Sequence, residues 1–141
     1  MFNRWLAGRL LTDTFERPVL GDLMRKEDSG GMFVADELDS ARERMARWEI
    51  SPTGPMFGAK MRWPEGDARK LEEQLCADFG FTEERMARMR AVLPGTRRVA
   101  RVRPVEVCTN LRDGGIELSF TLPKGAYATV ILRELLKGDP N

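Results

Sequence analysis

Residues 120–135 read Phe120-Thr121-Leu122-Pro123-Lys124-Gly125-Ala126-Tyr127-Ala128-Thr129-Val130-Ile131-Leu132-Arg133-Glu134-Leu135. On the approach to this stretch, Ile116, Leu118, Phe120 and Leu122 alternate with Glu117, Ser119 and Thr121. That is the period-two signature of a strand with one apolar face. Pro123-Lys124-Gly125 ends it, because proline cannot donate to a ladder and glycine accepts turn backbone. Residues 126–136 then predict a closing helix. Working back, Arg112-Asp113-Gly114-Gly115 is a hairpin turn. Val102, Val105 and Val107 predict its other strand, with Pro104 marking an edge or a bulge. Two or three strands and a helix leave an apolar sheet face in search of neighbours, so the sequence is expected to be part of a larger fold.

Upstream, the pattern is mostly helical. Phe2, Trp5, Leu6 and Leu10 recur at helical spacing and predict a helix that opens without a capping residue, as one cut from a longer chain would. Residues 23–26 and 32–35 flank Asp28-Ser29-Gly30-Gly31, which suits a hairpin. Residues 37–48 predict a helix with Leu38, Ala41, Met45 and Trp48 on one face and Asp36 as N-cap. Pro52-Thr53-Gly54-Pro55-Met56-Phe57-Gly58 reads as a loop of defined shape. A second helix opens at Pro64-Glu65-Gly66-Asp67, with Leu71, Leu75 and Cys76 inward. A third, from Thr82 to about Val92, has a threonine cap and a stripe of Met86, Met89 and Leu93.

Composition narrows the chemistry. The 141 residues contain no histidine, which removes Ser-His-Asp and Cys-His catalysis and the commonest metal ligand. Cys76 and Cys108 form no metal or redox spacing and are expected as two buried thiols of a cytoplasmic protein. No run approaches the ~20 apolar residues of a membrane span. No glycine-rich phosphate loop is present, and the adjacent carboxylates Glu72-Glu73 and Glu83-Glu84 read as solvated helix charges. Only five of the 23 basic residues are lysine. Seven arginines, at 85, 88, 90, 97, 98, 101 and 103, face Glu83, Glu84 and Glu106 between Thr82 and Cys108, a local charge of 7 − 3 = +4. Two readings stay open: a nucleic-acid footprint, or a coding preference that writes arginine wherever a solvated cation will serve.

The 120–135 stretch resembles the C-terminal signature of TruD-type pseudouridine synthases: a strand into Leu-Pro-x-Gly, an aromatic, Ala-Thr, and a helix ending Arg-Glu-Leu. Residues 54–61 are similar to the family's Gly-Pro-x-Phe-Gly-x-x-Met loop, and Phe2-Asn3 and Arg97-Arg98 fall in the expected order. The resemblance implies an α+β chain in two parts. Residues 1–95 would be part of an inserted α/β domain that closes over RNA. Residues 96–141 would be the last strands and helix of the mixed α/β catalytic domain. It further implies isomerisation of uridine 13 of tRNA to pseudouridine, with no metal or organic cofactor and with tRNA as partner.

The family's catalytic aspartate lies in a Gly-x-Lys-Asp-x-x-Ala-x-Thr motif, and no aspartate from Asp13 to Asp139 has that context. The Asn-x-Phe substrate motif is missing as well. The resemblance therefore assigns no catalytic residue to this chain and makes an N-terminal half of the enzyme its expected partner. It gives Tyr127 the role of stacking on the target base, and Lys124, Arg97 and Arg98 weaker roles as phosphate contacts. Thr129 is expected to cap the active-site turn or pack. Arg133 and Glu134 are read as an ion pair or as RNA ligands. An inactive RNA-binding module and an unstable remnant are the competing readings.

Overall fold

The computed structural model describes residues 1–137, with the backbone alone at Glu83; Asp139 lies outside the described residues. The elements are α1 (Phe2–Leu11), β1 (Leu23–Lys26), β2 (Met32–Val34), α2 (Leu38–Ala46), β3 (Ile50–Met56), α3 (Gly66–Asp78), α4 (Glu83–Arg88), β4 (Thr96–Val99), β5 (Val105–Arg112), β6 (Gly115–Thr121) and α5 (Ala128–Leu135). This is the mixed α and β content expected, with antiparallel pairing throughout. The chain forms two compact units that divide between Arg101 and Val102.

The first unit is built on a four-stranded sheet of order β2-β1-β3-β4. Its inner strand β3 takes in residues 52–56, the stretch read as a loop from its prolines and glycines. The sheet tolerates them for reasons of register. Pro52 is paired with Met24 of β1, while its carbonyl faces the other way and accepts from Ala100 N, one residue past β4. The β3–β4 ladder ends at Thr53↔Val99, so the N–H that Pro52 lacks falls one residue past its last pair. Successive residues face opposite neighbours, so Pro55 points past the first residue of β1. Gly54 answers to packing: a Cβ there would stand 2.4 Å from Trp5 Cε3. Glycine lets α1 lie directly on the strand.

Ile50 and Gly54 share one face of β3 by the two-residue alternation. On that face Met24, Ala35, Ala41, Met45 and Ile50 form a core beneath α2, and Phe2 and Trp5 bring in α1. The α2 N-terminus has no side-chain cap: Glu37, not Asp36, takes the cap position and makes no such bond. A second core joins Phe57, Met61, Cys76 and Met86, with Trp63, Leu75 and Phe81 packed against it. Leu71, expected inward, is exposed, and α3 instead buries Ala68, Glu72 and Cys76. The Thr82 cap is present, its hydroxyl accepting from Arg85 N at 3.2 Å, although α4 stops at Arg88.

The second unit holds the predicted hairpin and helix. β5 and β6 pair antiparallel from Arg112↔Gly115 to Val105↔Thr121. A bulge between Val105 and Cys108 carries Glu106 at φ 54°, two residues after Pro104. Gly114 at φ 88° makes the turn. Every residue of β5 is exposed and α5 buries none. Cys108 is therefore exposed, not buried as expected, because its strand has no covered face. Cys76 is buried, its thiol donates to Phe81 O, and burial pushes the thiol up from its ordinary value.

Candidate functional site

Consecutive residues of a strand point to opposite faces, and β4 applies that rule to its two arginines. Arg97 turns inward and forks onto Glu72 of α3, with Nη1 to Oε2 at 2.6 Å and Nη2 to Oε1 at 2.7 Å. Both side chains are 2% exposed. The same guanidinium donates to Thr53 O and Oγ1. These bonds fill the planar fork, so the expectation that Arg97 contacts RNA phosphate is corrected: it ties the β3–β4 edge to α3. Glu72, read from sequence as a solvated charge, is the other half of that tie. Burial raises its carboxyl above the ordinary glutamate value, outweighing the lowering by Arg97.

A second buried pair lies nearby. Arg9 of α1 donates to both carboxylate oxygens of Asp22, at 3.0 and 2.8 Å, and to Arg17 O. Asp22 also accepts from Val19 N at 2.8 Å. Arg101 bonds Ser51 Oγ, Met45 O and Ile50 O, and lies 4.1 Å from the Trp48 ring centroid. Burial lowers its value, and Trp48 adopts φ 59°, a backbone state a bulky residue rarely takes. Arg44, Arg69 and Arg85 stack on Phe33, Trp63 and Phe81. Much of the arginine excess is thus structural, as guanidinium planes that cover aromatic faces and cross-link elements.

Arg98, one residue on, is exposed and lies 5.0 Å over the Phe2 ring on the α1 face. In the second unit, Lys124 is exposed in the turn after β6, and Gly125 follows at φ 89°. Tyr127 takes the N-cap position of α5, 65% exposed, with its carbonyl accepting from Val130 N. Thr129 and Arg133 are exposed too, and Glu134 pairs with Lys137 at i,i+3 rather than with Arg133. Lys124 thus lies three residues before Tyr127, in the turn that leads to α5, and Arg97 and Arg98 share one strand. No helix among the described residues is long and apolar enough to cross a membrane, and none of their His, Cys, Asp and Glu side chains cluster to hold a metal ion.

The model of the family tRNA pseudouridine synthase D (TruD) matches residues 1–135. The chain belongs to the TruD family. The tRNA pseudouridine synthase D of Anaeromyxobacter sp. (strain Fw109-5) is 45% identical over 137 residues, covering 97% of this chain and 39% of the relative. That of a Thermus thermophilus strain is 41% identical over 137 residues, covering 97% and 37%. This chain therefore spans well under half the length of the curated TruD relatives it matches. A solved TruD structure from Methanosarcina mazei superposes with a TM-score of 0.71 at 24% identity, over 94% of this chain and 35% of that one. At that identity the likeness speaks for the fold.

Within this TruD chain the buried charges were the residues that sequence reasoning missed, although a signal was present. Arg9 lies four residues after Trp5 and seven after Phe2, and Glu72 lies four from both Ala68 and Cys76. A charge on the apolar stripe of a helix is a charge destined for a partner.

Proposed function

We propose that this chain is the C-terminal part of a tRNA pseudouridine synthase that isomerises uridine 13, and that it contributes base stacking and RNA contacts. By resemblance, residues 1–95 belong to the inserted domain and 96–141 to the catalytic domain. In the reaction the family performs, the base of a flipped uridine detaches, turns and rejoins the ribose through carbon 5. The aspartate for that step comes from another segment, since no aspartate here has the Lys-Asp context. The chain alone is inactive, needs an N-terminal half of the enzyme and works in the cytoplasm.

One observation carries the reading. The aromatic of the closing motif, Tyr127, stands at the N-cap position of α5, two residues past the Gly125 turn, with its side chain open to solvent. An extruded base regains about 1–3 kcal/mol by stacking on such a ring. Lys124, three residues earlier, and Arg98 on β4 would serve as phosphate contacts.

The test is tritium release from tRNA labelled at uridine carbon 5. Release only when the chain is mixed with the N-terminal half of a TruD relative supports the proposal. Release by the chain alone overturns the assignment of the aspartate elsewhere, and no release from the mixture leaves an inactive RNA-binding module. Replacing Tyr127 with alanine in the active mixture is expected to slow release by about tenfold or more, from the lost stacking.

A further inference from the structure

Residues 54–58 also shape a cleft beside the sheet. Between α1, the end of β3 and the start of β4 lies an open cleft of about 620 Å³, within the roughly 300–1,000 Å³ typical of small-ligand sites. Phe2, Met56 and Phe57 supply apolar wall, and Asn3, Thr96 and Arg98 supply its polar groups. No carboxylate lines it among the described residues, so Arg98 sets its sign.

Close backbone contacts fix the walls. A Cβ on Gly58 would stand 2.3 Å from Gly95 N, and one on Gly54 would stand 2.8 Å from Phe2 Cε2. Gly95 is at φ 76°. The cleft therefore keeps its form through contacts that no other residue type permits. Its rim is accessible, since Asn3, Met56, Thr96 and Arg98 are all exposed.

We propose that this cleft binds one unstacked nucleotide of single-stranded RNA. Its base would lie against the Phe2 and Met56 side chains, its edge within reach of the Asn3 amide, and its phosphate on Arg98. An apolar wall takes any base face, an amide both donates and accepts, and a guanidinium matches phosphate oxygens. The choice of RNA over a free mononucleotide rests on the tRNA reading above.

The experiment is an amide-resolved NMR titration of the 141-residue chain with uridine 5′-monophosphate, uridine, inorganic phosphate and a short oligouridylate. Uridine monophosphate and the oligomer are expected to shift Asn3, Met56, Thr96 and Arg98 together, the oligomer binding more tightly. Arg98→Ala should weaken the oligomer about tenfold, the loss of one charge-assisted contact. Met56→Glu should abolish the shifts, with an unchanged thermal midpoint reporting that each variant is folded.

Shifts elsewhere, the full pattern from phosphate alone, or undiminished binding by Arg98→Ala would overturn the proposal. So would monophosphate binding without oligomer binding, which would leave a free-nucleotide site. Oligomer binding in the cleft alongside no tritium release from the mixed halves would keep the subsite and sink the synthase reading.

Discussion

The two units use the same residue types to opposite ends. In Met1–Arg101, arginines are turned inward and matched: Arg9 with Asp22, Arg97 with Glu72, Arg101 with carbonyls and the Trp48 ring. In the unit from Val102 onward, even the valines and leucines face outward, with Val105, Val107, Leu111, Ile116, Val130 and Leu135 all at least half exposed. Charge is structural where a core surrounds it, and apolar area contributes nothing where none does. Polarity alone therefore does not tell which residues hold this chain together.

The sharpest way to break that contrast is to remove one member of a buried pair. Arg97→Ala leaves the Glu72 carboxylate buried without its fork and is expected to cost about 3–5 kcal/mol by denaturant titration. Arg98→Ala, one residue on, removes a surface stack and should cost about 0.5 kcal/mol or less. Equal losses at the two positions would mean that β4 does not hold the register Pro55↔Arg97.

That pair also marks where the sequence was legible and where it was not. The β5–β6 hairpin, α5, the β1–β2 hairpin and the Thr82 cap follow from local patterns, because alternation, turn residues and caps act within a few positions. The strand character of residues 52–56 does not. Its prolines are tolerated only because of where β1 and β4 end, and its glycine serves a helix at the far end of the unit's sequence. The buried partner of Arg97 lies 25 residues upstream on α3, beyond any local window. Of the candidate residues, the motif placed Lys124 and Tyr127 between a strand and a helix, where they lie, whereas the opposite facing of Arg97 and Arg98 needed the sheet register.

A second test of the packed unit is steric. Gly58→Ala puts a methyl carbon 2.3 Å from backbone nitrogen, which cannot swing aside as a side chain can. A loss of about 1–3 kcal/mol is expected. Gly115→Ala, with open space around its Cβ, should be close to neutral by the same titration.

A smaller effect follows from Glu72 and pH. Its folded-state carboxyl is raised above the ordinary 4.5. The native state therefore holds that proton longer than the unfolded chain does, and this group favours folding most in acid. Its contribution is lost as pH climbs from 4.5 through the raised value. The stability of the native chain minus that of Glu72→Gln should decline across that window. A difference that rises with pH would mean that Arg97 outweighs burial and holds the carboxyl low.

The smallest expected effect tests the other side of the contrast. Leu111 and Ile116 are partners at the tip of the hairpin, 85% and 69% exposed. Apolar area already in contact with water loses nothing when it becomes polar, so Leu111→Thr and Ile116→Thr should each change the melt of this chain by no more than about 0.5 kcal/mol. Threonine is itself β-branched, the shape a strand favours, so neither substitution lowers strand propensity through shape. Loss of a kilocalorie or more would show that this face is covered in solution, by a second copy if the effect grows with protein concentration. In a reconstituted mixture with the N-terminal half, the same substitutions should become costly. A hairpin that is indifferent alone and sensitive in the mixture is one whose core is completed by another segment.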